Sequence, residues 1–355
     1  MQPRPLGRIL AIFFTVLPFL ATVPCHADAA LLMEEPYGFF GLINPTGHNA
    51  IYFQNICAES PTRLRRCLPG EMGSVISRYE GVDGRDWVAV PLIPYLYAVE
   101  DVSDAPRQVT RTQVKELRNQ YRLTHFTPLG LDNPHGSYVR DAWKYLIGVS
   151  YERQIYAFRF KTTQEQDDAT IAWLNDSPNV SHFQMLYRNC ADFARTVLNN
   201  YFPKSFRRNI FPDAGITTPK QVTYNLVRYA RKHPELELAV FVIPQIPGFR
   251  RRSHSNKDIA ESFTTTAYAI PLTLVNPYLA AIIFVDYIAR GHYHLIPRNP
   301  KVLSPETLSA LTAPPADREN ASGAKDQAEG AAPVIQFTPQ TRTGAESGLK
   351  ESAGP

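Results

Sequence analysis

Apolar and polar positions alternate most regularly in "RQIYAFRF", residues 153–160, which predicts a strand. "HNAIYFQNI" (48–56), rich in β-branched and aromatic residues, reads as another, and "GSVISRYE" (73–80) as a third. "DWVAVPLIPYLYAV" (86–99) is also extended in pattern, with Pro91 and Pro94 bending it or placing it at an edge. Helical spacing governs 107–123, where Val114, Leu117 and Tyr121 share a face. Thr162 and Glu165 form a capping-box pattern ahead of the helix "QEQDDATIAWLND", which stops before Pro178. A strand-like "SHFQMLY" follows. "NCADFARTVLNNYF" then sets Cys190, Phe193, Val197 and Tyr201 at helical spacing and ends at Pro203. Thr218 caps and Pro219 opens a further helix over 218–234. The whole is an α+β pattern.

The two ends of the chain read differently. Arg4 and Arg8 precede "ILAIFFTVLPFLATV" and the small residues around "CHADAA", the layout of a secretory leader cleaved after Ala27 or Ala29, with an uncleaved membrane anchor as the alternative. This predicts an exported protein of the periplasm or cell envelope. The expected organisation is a leader over 1–29, a main domain over 30–235, an apolar segment over 236–299 and a disordered tail over 300–355. In the apolar segment, "LAVFVIPQIPGF" (238–249) precedes "RRRSHSNKD". Residues 267–289 are long enough to span a bilayer but are interrupted by Pro271, Asn276, Pro277 and Asp286. Membrane association and a buried helical hairpin both fit that stretch. The tail is rich in Ala, Pro, Gly, Ser and Thr.

The net charge of +4 is mild and the basic residues are scattered apart from Arg250, Arg251 and Arg252, so nucleic acid is not an expected partner. Of the four cysteines, Cys25 leaves with the leader. Cys57 and Cys67 flank a short polar loop and form a natural disulfide in an oxidising compartment. Cys190 is then the lone thiol, which an exported protein buries or uses.

Cys190 stands in the first turn of its helix, where unpaired N–H groups and the dipole lower a thiol's pKa. His48 opens a strand directly after Gly47, and a histidine within reach can take the thiol proton and return it to a leaving group. The backbone N–H of Cys190 is a candidate oxyanion donor. A buried structural cysteine and a strand-capping histidine are the competing readings. Asp192, two residues after the thiol, is expected to face outward. His125, His135 and His182 read as loop or surface residues, with His182 second to His48 as base, and His233 ends a helix. His292 and His294 have an i, i+2 spacing but no acidic or cysteine partner nearby, so no metal is expected.

"GHNAIYF" followed much later by "NCADFA" resembles the circularly permuted branch of the papain-like NlpC-type superfamily. That branch includes lecithin:retinol acyltransferase-like proteins and the Lnb-type N-terminal periplasmic domain. The run from "ERQIYAFRFKTTQEQ" to "FQMLYRNCADFARTVL" is most similar to the Lnb-type domain, and the likeness covers roughly residues 36–202. It implies a permuted papain-like antiparallel sheet packed on helices, Cys190 as nucleophile, His48 as base and no cofactor. It also implies a polar residue on the following strand to orient the imidazole, for which Ser77 and Glu80 stand there and Gln54 on the histidine strand itself. No histidine stands in that following strand, unlike the acyltransferases. Asn189, before the cysteine, and Gln54 are further candidates at the substrate or oxyanion side.

The leading expectation is thus a thiol hydrolase or acyltransferase acting on an amide or ester of the envelope, in a peptide, a lipoprotein or a lipid. The alternative is a non-catalytic, membrane-tethered binding or scaffold protein on an inactivated domain of the same fold. A third reading, two membrane spans, rests on 238–289.

Overall fold

The computed structural model describes residues 26–38, 41, 45–80, 82, 84–129, 142–208, 215–265, 269–290 and 295–312. The apolar part of the predicted leader, most of the tail, and His135, His292 and His294 lie outside them.

The fold is α+β, built on one seven-stranded mixed sheet. Its strands are β1 (His26–Glu34), β2 (His48–Phe53), β5 (Ser74–Ser77), β6 (Val88–Pro91), β7 (Ile155–Thr163), β8 (Ala239–Ile243) and β9 (Lys301–Val302). They lie in the order β6-β5-β2-β1-β7-β8-β9. Every pair is antiparallel except β8 with β9, which corrects the wholly antiparallel expectation. β3 (Ile56–Ser60) and β4 (Arg63–Arg66) form a separate hairpin. The polar stretch between Cys57 and Cys67 is therefore a strand pair rather than a loop, and a disulfide closes it.

Alternation along the strands sends side chains to two cores, one on each face. On the first face Ala30, Leu32, Ala50, Val75 and Ala157 meet the short helix α1 (Leu92–Tyr97) and α2 (Arg111–Tyr121). On the second, Leu31, Ile51, Phe53, Ile76 and Phe158 meet three helices: α3 (Gln164–Asp176), α4 (Cys190–Tyr201) and α5 (Pro219–Ala230). The α4 face of Phe193, Val197 and Tyr201 is buried as its spacing predicts.

Several expectations move. Pro91 ends β6 and the chain turns into α1, so 86–99 is half helix. Thr163, not Thr162, caps α3, in a reciprocal capping box with Gln166. That shift leaves Thr162 pointing inward from β7. "SHFQMLY" forms no strand and keeps one isolated bridge, Gln184 to Arg188. The apolar 238–249 stretch is no membrane segment: β8 pairs with β7, and Ile246 is core. The domain therefore continues past residue 235. It also takes in β9 and the helix α9 (Pro305–Thr312), whose Leu308 is buried, so the tail starts later than residue 300. Three further helices, α6 (Ile259–Thr265), α7 (Ala269–Val275) and α8 (Pro277–Arg290), stand between β8 and β9. Among the described residues no helix is long and apolar enough to cross a membrane. At the other end of the main domain, the last residues assigned to the leader, 26–29, begin β1 at the centre of the sheet.

Candidate active site

Cys190 is the first residue of α4, and Asn189 is its cap. The Asn189 oxygen accepts the Asp192 N–H at 3.0 Å, and its amide donates to the carbonyls of Met185 and Thr217. The side chain is engaged in holding the helix start. Asp192 faces inward rather than outward: it is buried and accepts from Thr217 at 2.7 Å and from Arg208 at 2.7 and 3.0 Å. Those partners offset its charge, so the acid sits close to the thiol in sequence without standing against it.

The Cys190 thiol is half-buried. The backbone N–H groups of Asn49 and Ala191 act to lower its pKa. They favour the thiolate, as a helix start should. Burial outweighs them, and with the Glu34 charge it pushes the thiol up to about 11. The resting sulfur is therefore protonated, the reverse of what the helix position alone predicts.

His48 opens β2, directly opposite Glu34 of β1. It shares a face with Ala50, and α4 packs on the other face, that of Asn49 and Ile51. Sulfur and imidazole thus approach the first peptide of β2 from its two sides, and no hydrogen bond joins them among the described residues. Burial, then the nearby Arg153 charge, hold His48 well below the usual histidine range. It is neutral at neutral pH, and its buried Nε2 has no hydrogen-bond partner. The ring lies on Tyr79, with centroids 4.1 Å apart and planes 12° from parallel.

Tyr79 holds its place through register. β5 pairs Ser77 with Ala50, and the same register carried two residues further sets position 79 opposite position 48. Ser77 lies one step along the same face, buried, with its hydroxyl unpartnered. Glu80 is exposed beyond the strand end. Gln54 is exposed past the far end of β2, six residues or about 20 Å from His48, which removes it from the site.

Behind the histidine is a buried ionic group that sequence reading missed. Glu34 is fully enclosed and accepts from the Tyr95 hydroxyl and, at 3.1 Å, from Arg153. Burial raises its carboxyl above the ordinary range, against the pull of Arg153. The Arg153 guanidinium also stacks over Tyr37 at 4.4 Å. The Arg153 charge is felt by both His48 and Cys190. The available sequence signal was the alternation Ala30, Leu32, Glu34, which puts a carboxylate on an apolar face just before the histidine strand.

The remaining candidates lie apart. His125 pairs with Glu100 and His233 with Glu235, and His182 is exposed. Cys57, Cys67 and Glu71 cluster, but the two sulfurs are bonded to each other and offer no thiolate to a metal. Met185, Leu186 and Tyr187, just ahead of Cys190, form an exposed apolar run. No family model, curated protein or solved structure matches the chain.

Proposed function

We propose that this chain is an exported thiol hydrolase or acyltransferase of permuted papain-like fold, with Cys190 as nucleophile and His48 as base. The observation that carries the reading is the address of Cys190: the first position of a helix packed on the sheet that carries His48, with the backbone N–H groups of Asn49 and Ala191 favouring its thiolate and the histidine held neutral. The residues also keep the order and motifs of the Lnb-type domain. An amide or ester of the cell envelope, in a peptide, lipoprotein or lipid, is the substrate class.

In this reading His48 takes the Cys190 proton as the sulfur attacks the carbonyl carbon, since a thiol at about 11 is a poor nucleophile unaided. A C–S bond forms and the negative charge passes to the carbonyl oxygen, toward the N–H groups of Asn49 and Ala191. The C–N or C–O bond then breaks, and the imidazolium gives its proton to the departing amine or alcohol. Water, or an acceptor hydroxyl or amine, attacks the thioester next and releases Cys190. The chemistry needs sulfur and imidazole to come within hydrogen-bond reach of each other, with the ring held on Tyr79. Tyr79 stands in the role the family gives to a polar residue behind the histidine, here as a stacking platform.

A second reading, a non-catalytic scaffold on the same fold, is favoured by the protonated thiol and by the missing bond between sulfur and imidazole. Labelling with a thiol-reactive acyl probe, followed by mass spectrometry of the acylated peptide, separates the two. The enzyme reading predicts a single acylated site at Cys190, lost in Cys190→Ala; an unlabelled wild-type protein supports the scaffold.

A further inference from the structure

The helices α7 and α8 leave large apolar side chains in solvent over more than half of their circumference, the rest of α8 being the half-buried face of Ala280, Ile283 and Tyr287. Ile270, Leu274 and Val275 are exposed on α7, the last two by 80% and 84%. Tyr278, Leu279, Ile282, Phe284, Val285 and Ile288 are exposed on α8. Positions 282 and 285 share a face while 284 points away from it, so the apolar surface is wider than a single stripe. A groove on a partner protein covers one stripe; a fluid apolar medium covers the whole of a wider exposed arc. α8 has 14 residues, about 21 Å of helix, too short for a hydrocarbon core of about 30 Å but enough to enter one leaflet.

The chain on both sides of this pair is basic. Arg250, Arg251 and Arg252 precede it, Arg298 and Lys301 follow it, and all five are exposed. Arg250 pairs with Glu152 at 3.7 Å, and α8 carries one acid, Asp286; of the acids just ahead of the pair, Asp258 is buried and Glu261 pairs with Lys220 at 2.5 Å, which leaves Arg251, Arg252, Arg298 and Lys301 to set the charge of the base. An apolar insert with a cationic base fits an anionic lipid surface.

The mounting of the pair gives it a direction. The Asn256 amide donates to the Glu34 carbonyl at 2.7 Å and to the Thr46 carbonyl at 2.9 Å. Lys257 N–H donates to the Pro45 carbonyl at 2.9 Å. Gly47 has φ +77°, and a Cβ there would lie 2.1 Å from the Asn256 amide nitrogen, so the strap crosses tightly just before His48. α6 follows this strap and packs on α8. The helices therefore rise from the end of the sheet that carries His48 and Cys190.

We infer that α7 and α8 dock this protein on an anionic membrane by entering one leaflet, with the Cys190 end of the sheet turned toward the lipid surface. Docking requires nothing of the thiol chemistry, and its test reads none. The test uses the full chain with Phe284→Trp and vesicles of phosphatidylglycerol and phosphatidylcholine brominated on their acyl chains. Phe284 is exposed, so the exchange disturbs no core. The expected result is quenching of the variant about threefold beyond that of the wild-type chain, weaker in vesicles of phosphatidylcholine alone, and abolished by adding Ile282→Asp. The residue-specific signal separates these helices from any leader that also binds lipid. Vesicle binding with no added quenching overturns the inference. So does concentration-dependent burial of the new indole in the absence of vesicles, which would assign the surface to a second copy of this chain.

Discussion

The His48 imidazole lies flat on the Tyr79 ring, 4.1 Å between centroids, because the β2–β5 register sets the two positions opposite each other. Burial keeps the imidazole neutral and the stack fixes its plane. Tyr79→Ala should therefore cost about 2 kcal/mol in urea unfolding, through lost stacking and packing. The same change should slow probe labelling of Cys190 by about tenfold, since a free imidazole is oriented less often. Tyr79→Phe keeps the ring and should preserve both. If Phe behaves as Ala does, the hydroxyl and not the ring is what the site uses.

Arg153 and Glu34 are a buried pair whose members cannot be removed one at a time. Arg153→Met leaves Glu34 enclosed without its cation and should cost about 3–5 kcal/mol. The double change Glu34→Gln with Arg153→Met should recover most of that loss. A double-mutant cycle by chemical denaturation measures the coupling, and additive single effects would show that the pair does not matter as a pair.

Stability should fall at both ends of the pH scale for different reasons. An unfolded histidine takes its proton near 6.5, whereas folded His48 stays neutral well below that. The unfolded chain binds more protons in this window, so stability drops as pH falls from about 6.5 through the folded value. An unfolded cysteine loses its proton near 9.0, whereas folded Cys190 holds it to about 11. There the unfolded chain binds fewer protons, so stability drops as pH rises from about 9 toward 11. His48→Gln should flatten the acid side and Cys190→Ala the alkaline side, each measured as unfolding free energy against pH. An acid limb unchanged by His48→Gln would contradict a buried neutral imidazole.

What was legible in the sequence follows from the range of the forces involved. The helix at Cys190 and its buried face depend on neighbours three or four residues apart and are legible in the spacing, whereas the capping role of Asn189 is not. So was the Cys57–Cys67 pairing, which closes a short span. Arg153 and Glu34 meet across 119 residues, and nothing local marks them as partners. β1 is hidden because its apolar run follows directly on a leader-like stretch. β8 looks like a membrane segment because a strand buried in a sheet is as apolar as one in lipid. Tyr79 carries no local mark of its role, because its place beside His48 comes from strand pairing and offers an aromatic face where a polar group is expected. The thiol was misjudged for a physical reason: the helix start lowers its pKa, but burial raises it further.

The central claim is that Cys190 is a nucleophile served by His48. The most direct measurement is the rate at which a thiol-reactive acyl probe labels Cys190 at neutral pH in the wild-type, His48→Ala and Cys190→Ala proteins. The account predicts one acylated site, lost in Cys190→Ala and slowed about 100-fold in His48→Ala. Equal rates in wild type and His48→Ala, or a wild-type thiol no faster than an ordinary cysteine, would contradict it.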